Sequence, residues 1–232
     1  MTDYLELIKD VYRCGGINQM WMNRRYKPDG HYVYIDRSIY DRVISQRENL
    51  IFRILKEGVL NDEYDYSGIG KDDVVLDIGA NVGTFTLRAA CLSNNVTAIE
   101  PVMYEYLVDN CQLNPHLNIK HYPYALGDGR VHEVSWLNKR IEIETKTLTQ
   151  LRSLCGGRID FLKCDTEGAE WWIKPEELRG IRRLEMELHY WKDNPTPKFN
   201  PALLEYIKEN YNVLRVPDQE QPTEVIHGVL VE

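Results

Sequence analysis

The stretch Val74–Ala90, VVLDIGANVGTFTLRAA, decides the fold. An apolar run carries Asp77 near its end. Gly79, Ala80, Asn81 and Gly83 follow, and from Thr84 the spacing turns helical. This reads as a strand that leaves through a glycine corner into a helix. In open parallel sheets, ligands collect beyond the carboxyl ends of the strands. Glycines let the backbone turn tightly and let a ligand approach without meeting a Cβ. The helix that follows aims its positive end at the same space.

Two cofactor classes use such a corner. A dinucleotide site needs G-x-G-x-x-G, and here those positions hold Gly79, Asn81 and Thr84. S-adenosylmethionine carries no phosphate and needs no pyrophosphate cradle, while an acid at the strand end, Asp77, can meet its amino group directly or through water. D-x-G-x-N-x-G therefore fits S-adenosylmethionine better than NAD; a plain strand–helix turn is the alternative. The next strand, NVTAIEP, ends in Glu100, an acid placed to accept ribose hydroxyls of any adenosine-type ligand. Pro101 then stands at a position that favours a helix start.

Outward from this corner the chain alternates. Strands are expected near 73–77, 95–99, 118–122, 159–164 and 181–188, with helices near 83–92, 101–113, 147–154, 168–178 and 200–210. Alternation of this kind means a parallel sheet covered on both faces. YNVLRVPD and EVIHGVLVE lie too close for a crossover helix, so they read as an antiparallel hairpin. Residues 1–70 differ in texture and read as an N-terminal cap of helix, hairpin and helix, with Pro28-Asp29-Gly30 as the hairpin turn. Residues 71–232 form the ligand-binding domain.

The bulk composition narrows the function. A chain of 232 residues suits one large domain or a domain with an appendage. Its net charge of -8 weighs against a nucleic-acid partner, whose binding draws on basic patches. No run approaches the ~18 apolar residues of a membrane span, and the start, MTDYLELIKD, is acidic where a secretion signal is basic. The expected place is the cytosol. The five cysteines, Cys14, Cys91, Cys111, Cys155 and Cys164, form no close pairs, which argues against a CxxC zinc site and for a reducing compartment.

With VVLDIGANVGTFTLRAA, the segments AIEPVMYEYLVDNCQLN, YALGDGRV, TLTQL and IDFLKCDTEGAE come in an order and spacing that resemble the FkbM-type family of class I, S-adenosylmethionine-dependent methyltransferases. The resemblance covers roughly residues 74–188, and DTEGAE is its most specific block. It implies a Rossmann-like sheet of seven strands with an antiparallel last strand, and methylation of hydroxyl groups on sugars or natural products. It also implies that Asp77, Gly79, Asn81 and Gly83 line the methionine end of the cofactor, that Ala80 is among the cofactor-binding residues, and that Thr84 opens the helix beside the ligand. Glu100 and Pro101 would lie at the ribose, and Ala125 and Leu126 at the adenine. Asp128 would hold that loop, and Phe85 reads as core.

A hydroxyl acceptor needs a general base or a metal ion before it attacks a methyl group. In FLKCD, Phe161, Lys163 and Asp165 share one face, and in LEMELHYW the polar Glu185, Glu187 and His189 share one face. A covered central strand should be apolar throughout, so these charges need a reason. The expectation is that Lys163 and Asp165 face Glu187 across adjacent strands. The base is then Asp165, which matches the family's D-x-E-G-A-E, or His189, which ordinarily titrates near neutral pH. Glu167 and Glu170 read as first-turn residues of the next helix. Asp165, Glu187 and His189 are also an ordinary ligand set for a divalent metal. The acceptor pocket is expected between the cap (Trp21, Tyr26, Tyr32, Tyr34) and Trp171, Trp172, Tyr190 and Trp191.

The favoured partner is a small-molecule or glycan acceptor. An RNA methyltransferase using Arg24, Arg25 and Lys27 is one rival. A non-catalytic cofactor-binding subunit is another, and a nicotinamide dehydrogenase lacks its glycines.

Overall fold

The computed structural model describes residues 64–136, 139–190, 199–217 and 222–231. The expected cap elements and their aromatic and basic residues lie outside these, as does Trp191.

The opening stretch forms strand β1 (Val74–Ile78) and helix α1 (Thr84–Leu92). Val75, Leu76, Asp77 and Ile78 are all fully buried, as a strand covered on both faces requires. There follow β2 (Asn95–Ile99), α2 (Tyr104–Leu113), β3 (Ile119–Tyr122), β4 (Ala125–Leu126), β5 (Val131–Trp136), β6 (Lys139–Lys146) and α3 (Leu148–Leu154). The chain then returns through β7 (Phe161–Cys164), β8 (Arg183–His189), α4 (Pro201–Asn210), β9 (Tyr211–Pro217) and β10 (Thr223–Leu230).

The main sheet has seven strands in the order β3-β2-β1-β7-β8-β10-β9. β1 pairs in parallel with both β2 and β7. The chain runs outward from β1 to β3 and then returns to the other side of β1, so the carboxyl ends of β1 and β7 flank the switch point where open sheets bind ligands. β10 is antiparallel to both β8 and β9, so the terminal hairpin expected from the sequence is present.

Residue parity assigns the two faces. Leu76, Leu162, Leu184, Met186 and Leu188 pack with Leu151, Leu203 and Ile207 in one core. Val75 and Phe161 point to the other face and pack with Phe85, Ala89, Tyr64 and Tyr66. Phe85 is thus core, as expected, and each such fully buried side chain stabilises by roughly 1.5–3 kcal/mol. Tyr64 and Tyr66 belong to this packing, although they precede the first strand. Among the described residues, no helix is long and apolar enough to cross a membrane.

Three elements differ from the sequence reading. Residues 168–178 form two 3-10 turns, Ala169–Trp172 and Pro175–Leu178, rather than one helix. Pro175 lacks an N–H and disfavours helical geometry in the residue before it. α2 begins at Tyr104 rather than at Pro101, because the N–H groups of Val102 and Met103 donate to the Glu100 carboxylate. A second sheet of order β4-β6-β5 was not expected.

Candidate functional site

The corner forms at the switch point. The N–H groups of Gly79 and Ala80 both donate to the Ile99 carbonyl, at 2.9 and 3.0 Å, which ties the exit of β1 to the end of β2. Gly79 has a φ of 77°, and a Cβ there would stand 1.7 Å from the carbonyl oxygen of Asp165. Gly79 is therefore required by the close approach of the chain leaving β7. Asn81 also takes a left-handed conformation, φ 52°, which asparagine tolerates better than most residues.

Asp77 is turned inward. Its Oδ2 accepts from Thr86 Oγ1, and Oδ1 lies 3.3 Å from Lys163 Nζ without a hydrogen bond. Burial raises its pKa above the ordinary carboxylate value, against the pull of Lys163. Its visible part is to hold Thr86 and Lys163.

Glu100 straps the corner to the segment after β2. Its Oε2 accepts from Asn81 N at 2.8 Å, and its Oε1 from Val102 N at 2.7 Å and Met103 N at 2.9 Å. Burial raises its pKa against these three donors. A carboxylate offers about four acceptor positions, so one remains for a ligand hydroxyl. Leu126 is buried and Ala125 partly so in β4, which pairs with Thr145 and Lys146 of β6. Asp128 holds this loop as expected, accepting from Arg130 N at 3.2 Å and Thr145 Oγ1 at 3.3 Å.

A charged cluster flanks the corner. Lys163 is 3% exposed, donates to the Gly79 carbonyl at 2.8 Å and lies 3.7 Å from Asp165 Oδ2. Burial works against its ammonium, but Asp77 and Asp165 outweigh this and hold its pKa well above the usual lysine value. It stays charged at neutral pH and is no base. The expected cluster forms differently from its forecast: Lys163 turns toward β1 and Asp77, and Glu187 joins through Asp165. Glu185, level with Lys163 on β8, sits in a separate network with Arg183 and His227.

Asp165, Glu187 and His189 each place a ligand atom within 4.8 Å of the other two. His189 Nδ1 lies 3.2 Å from Glu170 Oε1, and its Nε2 lies 3.9 Å from Glu187 Oε1. Burial would lower the His189 pKa, but the carboxylates of Glu170, Glu187 and Asp165 outweigh it and push the value up to about 9. The expectation of titration near neutral pH fails here. With these carboxylates around it His189 keeps its proton at pH 7, which weighs against it as a base.

Glu170, expected in the first turn of a helix, is fully buried. It accepts from Thr166 Oγ1, Gly168 N and His189 N at 3.0, 2.9 and 2.6 Å. It thus fixes the loop after β7 and the end of β8 together. Trp171 is core, donating from Nε1 to the His189 carbonyl at 2.7 Å. Tyr64 is a site residue that the sequence reading missed. Its hydroxyl donates to Asp165 Oδ2 at 3.1 Å and its ring centroid lies 5.4 Å from Lys163 Nζ. No local pattern marks it, since its partner lies 101 positions away.

A family model described as the methyltransferase FkbM domain matches residues 77–214, from the corner acid to β9. The chain belongs to the FkbM methyltransferase family. It is an S-adenosylmethionine-dependent methyltransferase in fold and family, and the corner suits that cofactor. Asn81 Oδ1 is a buried oxygen with no hydrogen-bond partner among the described residues. An ammonium or hydroxyl donor would satisfy it, and S-adenosylmethionine carries both.

Solved structures similar to this FkbM-family chain include an rRNA methylase from Streptococcus thermophilus. It is 12% identical with a TM-score of 0.50, over 72% of this chain and 92% of that one. A fibrillarin pre-rRNA processing protein from Methanococcus jannaschii is 18% identical with a TM-score of 0.45, over 70% and 68%. A precorrin-6y C5,15-methyltransferase from Geobacter metallireducens is 15% identical with a TM-score of 0.43, over 71% and 84%. At 12% identity the likeness to the rRNA methylase bears on the fold alone. No curated protein matches the chain.

Proposed function

We propose that this chain methylates a hydroxyl group of a sugar or small metabolite in the cytosol. The observation that carries the reading is the position of Asp165. Its carbonyl packs against Gly79 of the corner, and its carboxylate joins Glu187 and His189. When bound, S-adenosylmethionine supplies a methyl carbon on a sulfonium that leaves as a thioether.

In this reading Asp77, Gly79, Ala80, Asn81, Gly83 and Thr84 form the wall at the methionine end. Glu100 offers its remaining acceptor position to the ribose beside Pro101, and Ala125 and Leu126 border the adenine. Asp165 orients the acceptor hydroxyl and takes its proton as the oxygen attacks. Tyr64 and Lys163 hold Asp165 Oδ2, so the proton goes to Oδ1. Glu170 holds His189 and the loop after β7, which keeps the Asp165 carboxylate aimed. The net charge of -8 supports an uncharged acceptor over RNA. The thiols of Cys111, Cys155 and Cys164 support a reducing compartment.

The test is label transfer from methyl-labelled S-adenosylmethionine to a panel of glycosides, hydroxylated metabolites and RNA. The expected product is a methyl ether on a hydroxyl acceptor, with Asp165→Asn retaining cofactor binding and losing turnover. Label confined to RNA, or full activity in Asp165→Asn, would overturn the proposal.

A further inference from the structure

We infer that Asp165, Glu187 and His189 form a divalent-cation site that binds the acceptor through two neighbouring oxygens. The cation site stands on geometry alone; the choice of acceptor rests on the methyl-transfer reading above.

The donor triangle has the right size. Its ligand atoms lie within 4.8 Å of one another. Donors at about 2.0–2.5 Å from a cation stand up to about 5 Å apart across it. Two carboxylates and one imidazole suit Mn²⁺ or Mg²⁺ better than a soft metal. All three residues lie on the same face of neighbouring strands, at the carboxyl ends of β7 and β8, so the backbone already brings them together.

The histidine is oriented from outside the triangle, and a cation at Nε2 displaces the proton that this nitrogen otherwise carries. His189 is 3% exposed, and its Nδ1 faces Glu170 Oε1 while Nε2 faces Glu187. Glu170 is itself fully buried and held by Thr166 Oγ1 and Gly168 N. A carboxylate fixing the far nitrogen of a histidine is the usual supporting arrangement for a metal-ligating imidazole. Burying a carboxylate is costly unless it is well partnered, and here its partners include the ring and backbone N–H of His189. Glu167 Oε2 also comes within 3.6 Å of Nε2, on a side chain that is 75% exposed, at the mouth of the site. Lys163 supplies positive charge on the far side only, where it is shared between Asp165 Oδ2 and Asp77.

Three protein ligands leave about three positions on a six-coordinate cation. Two adjacent hydroxyls fill two of them, and water fills the third. This selects a vicinal diol over an isolated hydroxyl. A cation held there would make a bound acceptor hydroxyl a stronger acid, so that it gives up its proton more readily.

The experiment is a Mn²⁺ titration of the metal-stripped full chain, with free Mn²⁺ read by electron paramagnetic resonance. S-adenosylmethionine affinity is measured in parallel on each protein. One Mn²⁺ site is expected in the wild type. Glu187→Gln and His189→Ala should each weaken it at least tenfold, Glu170→Gln should weaken it by about 10–100-fold, and cofactor affinity should hold. No Mn²⁺ binding by the wild type, or equal binding by His189→Ala and Glu187→Gln, would overturn the cation site. With cofactor binding and turnover intact, that result would leave the methyl-transfer reading standing. Loss of wild-type cofactor binding would strike that reading instead.

Discussion

The Lys163 ammonium lies 3.3 Å from Asp77 Oδ1, and both side chains are buried. The same ammonium lies 3.7 Å from Asp165 Oδ2 and donates to the Gly79 carbonyl. One cation therefore joins the corner after β1 to the chain leaving β7. Lys163→Met should destabilise the protein by about 3–5 kcal/mol, because it leaves Asp77 buried and uncompensated. Asp77→Asn placed on top should recover part of that loss. Urea unfolding of the two variants checks this, and a double variant no more stable than Lys163→Met would refute it.

Gly79→Ala should damage stability and cofactor binding together. The new methyl would meet the Asp165 carbonyl at a positive φ, so the β7 exit must move. A cost above about 1 kcal/mol is expected from the backbone conformation alone. Thermal unfolding and a cofactor titration measure the two effects. A variant that binds normally would mean the two exits are not coupled.

The three N–H groups held by Glu100 make its substitutions separable. Glu100→Gln keeps an oxygen acceptor and should lose modestly in cofactor affinity. Glu100→Ala leaves the donors of Asn81, Val102 and Met103 without their acceptor, and should lose tenfold or more. Equal affinities in the two variants would show that the carboxylate does not organise the site.

His227 gives the fold a pH dependence away from the site. Its Nδ1 meets Glu185 Oε2, and that hydrogen bond raises its pKa despite partial burial. A raised folded-state pKa means the stabilisation is fully present below the unfolded value of about 6.5 and is lost as pH rises through the folded value. Unfolding free energy of the wild type relative to His227→Gln should therefore fall as pH rises from about 6 upward. The change should stay small, since the ring is partly open to solvent and screened. A flat difference across that range would contradict the pairing.

Much of the sheet was legible because β1 and β2 end in sharp signals, Asp77-x-Gly79 and Glu100-Pro101, and because covered strands are nearly continuous apolar runs. The antiparallel pairing of β5 and β6 was not, since the sequence between them, residues 137–138, carries no glycine or proline. Charges on Lys163 and Glu187 pointed to a charged cluster, which is present, but their partners depend on strand order. Lys163 meets Asp77 only because β7 lies beside β1. Glu170 and Tyr64 were unreadable locally, since their partners come from distant parts of the chain.

The most direct measurement is calorimetric titration of the purified chain with S-adenosylmethionine, its demethylated product and NAD, each alone, in wild type and Asp77→Ala. Micromolar binding of the first two, none of NAD, and clear weakening in Asp77→Ala are expected. Absence of binding to the first two, or unchanged affinity in Asp77→Ala, would contradict the assignment of the glycine corner.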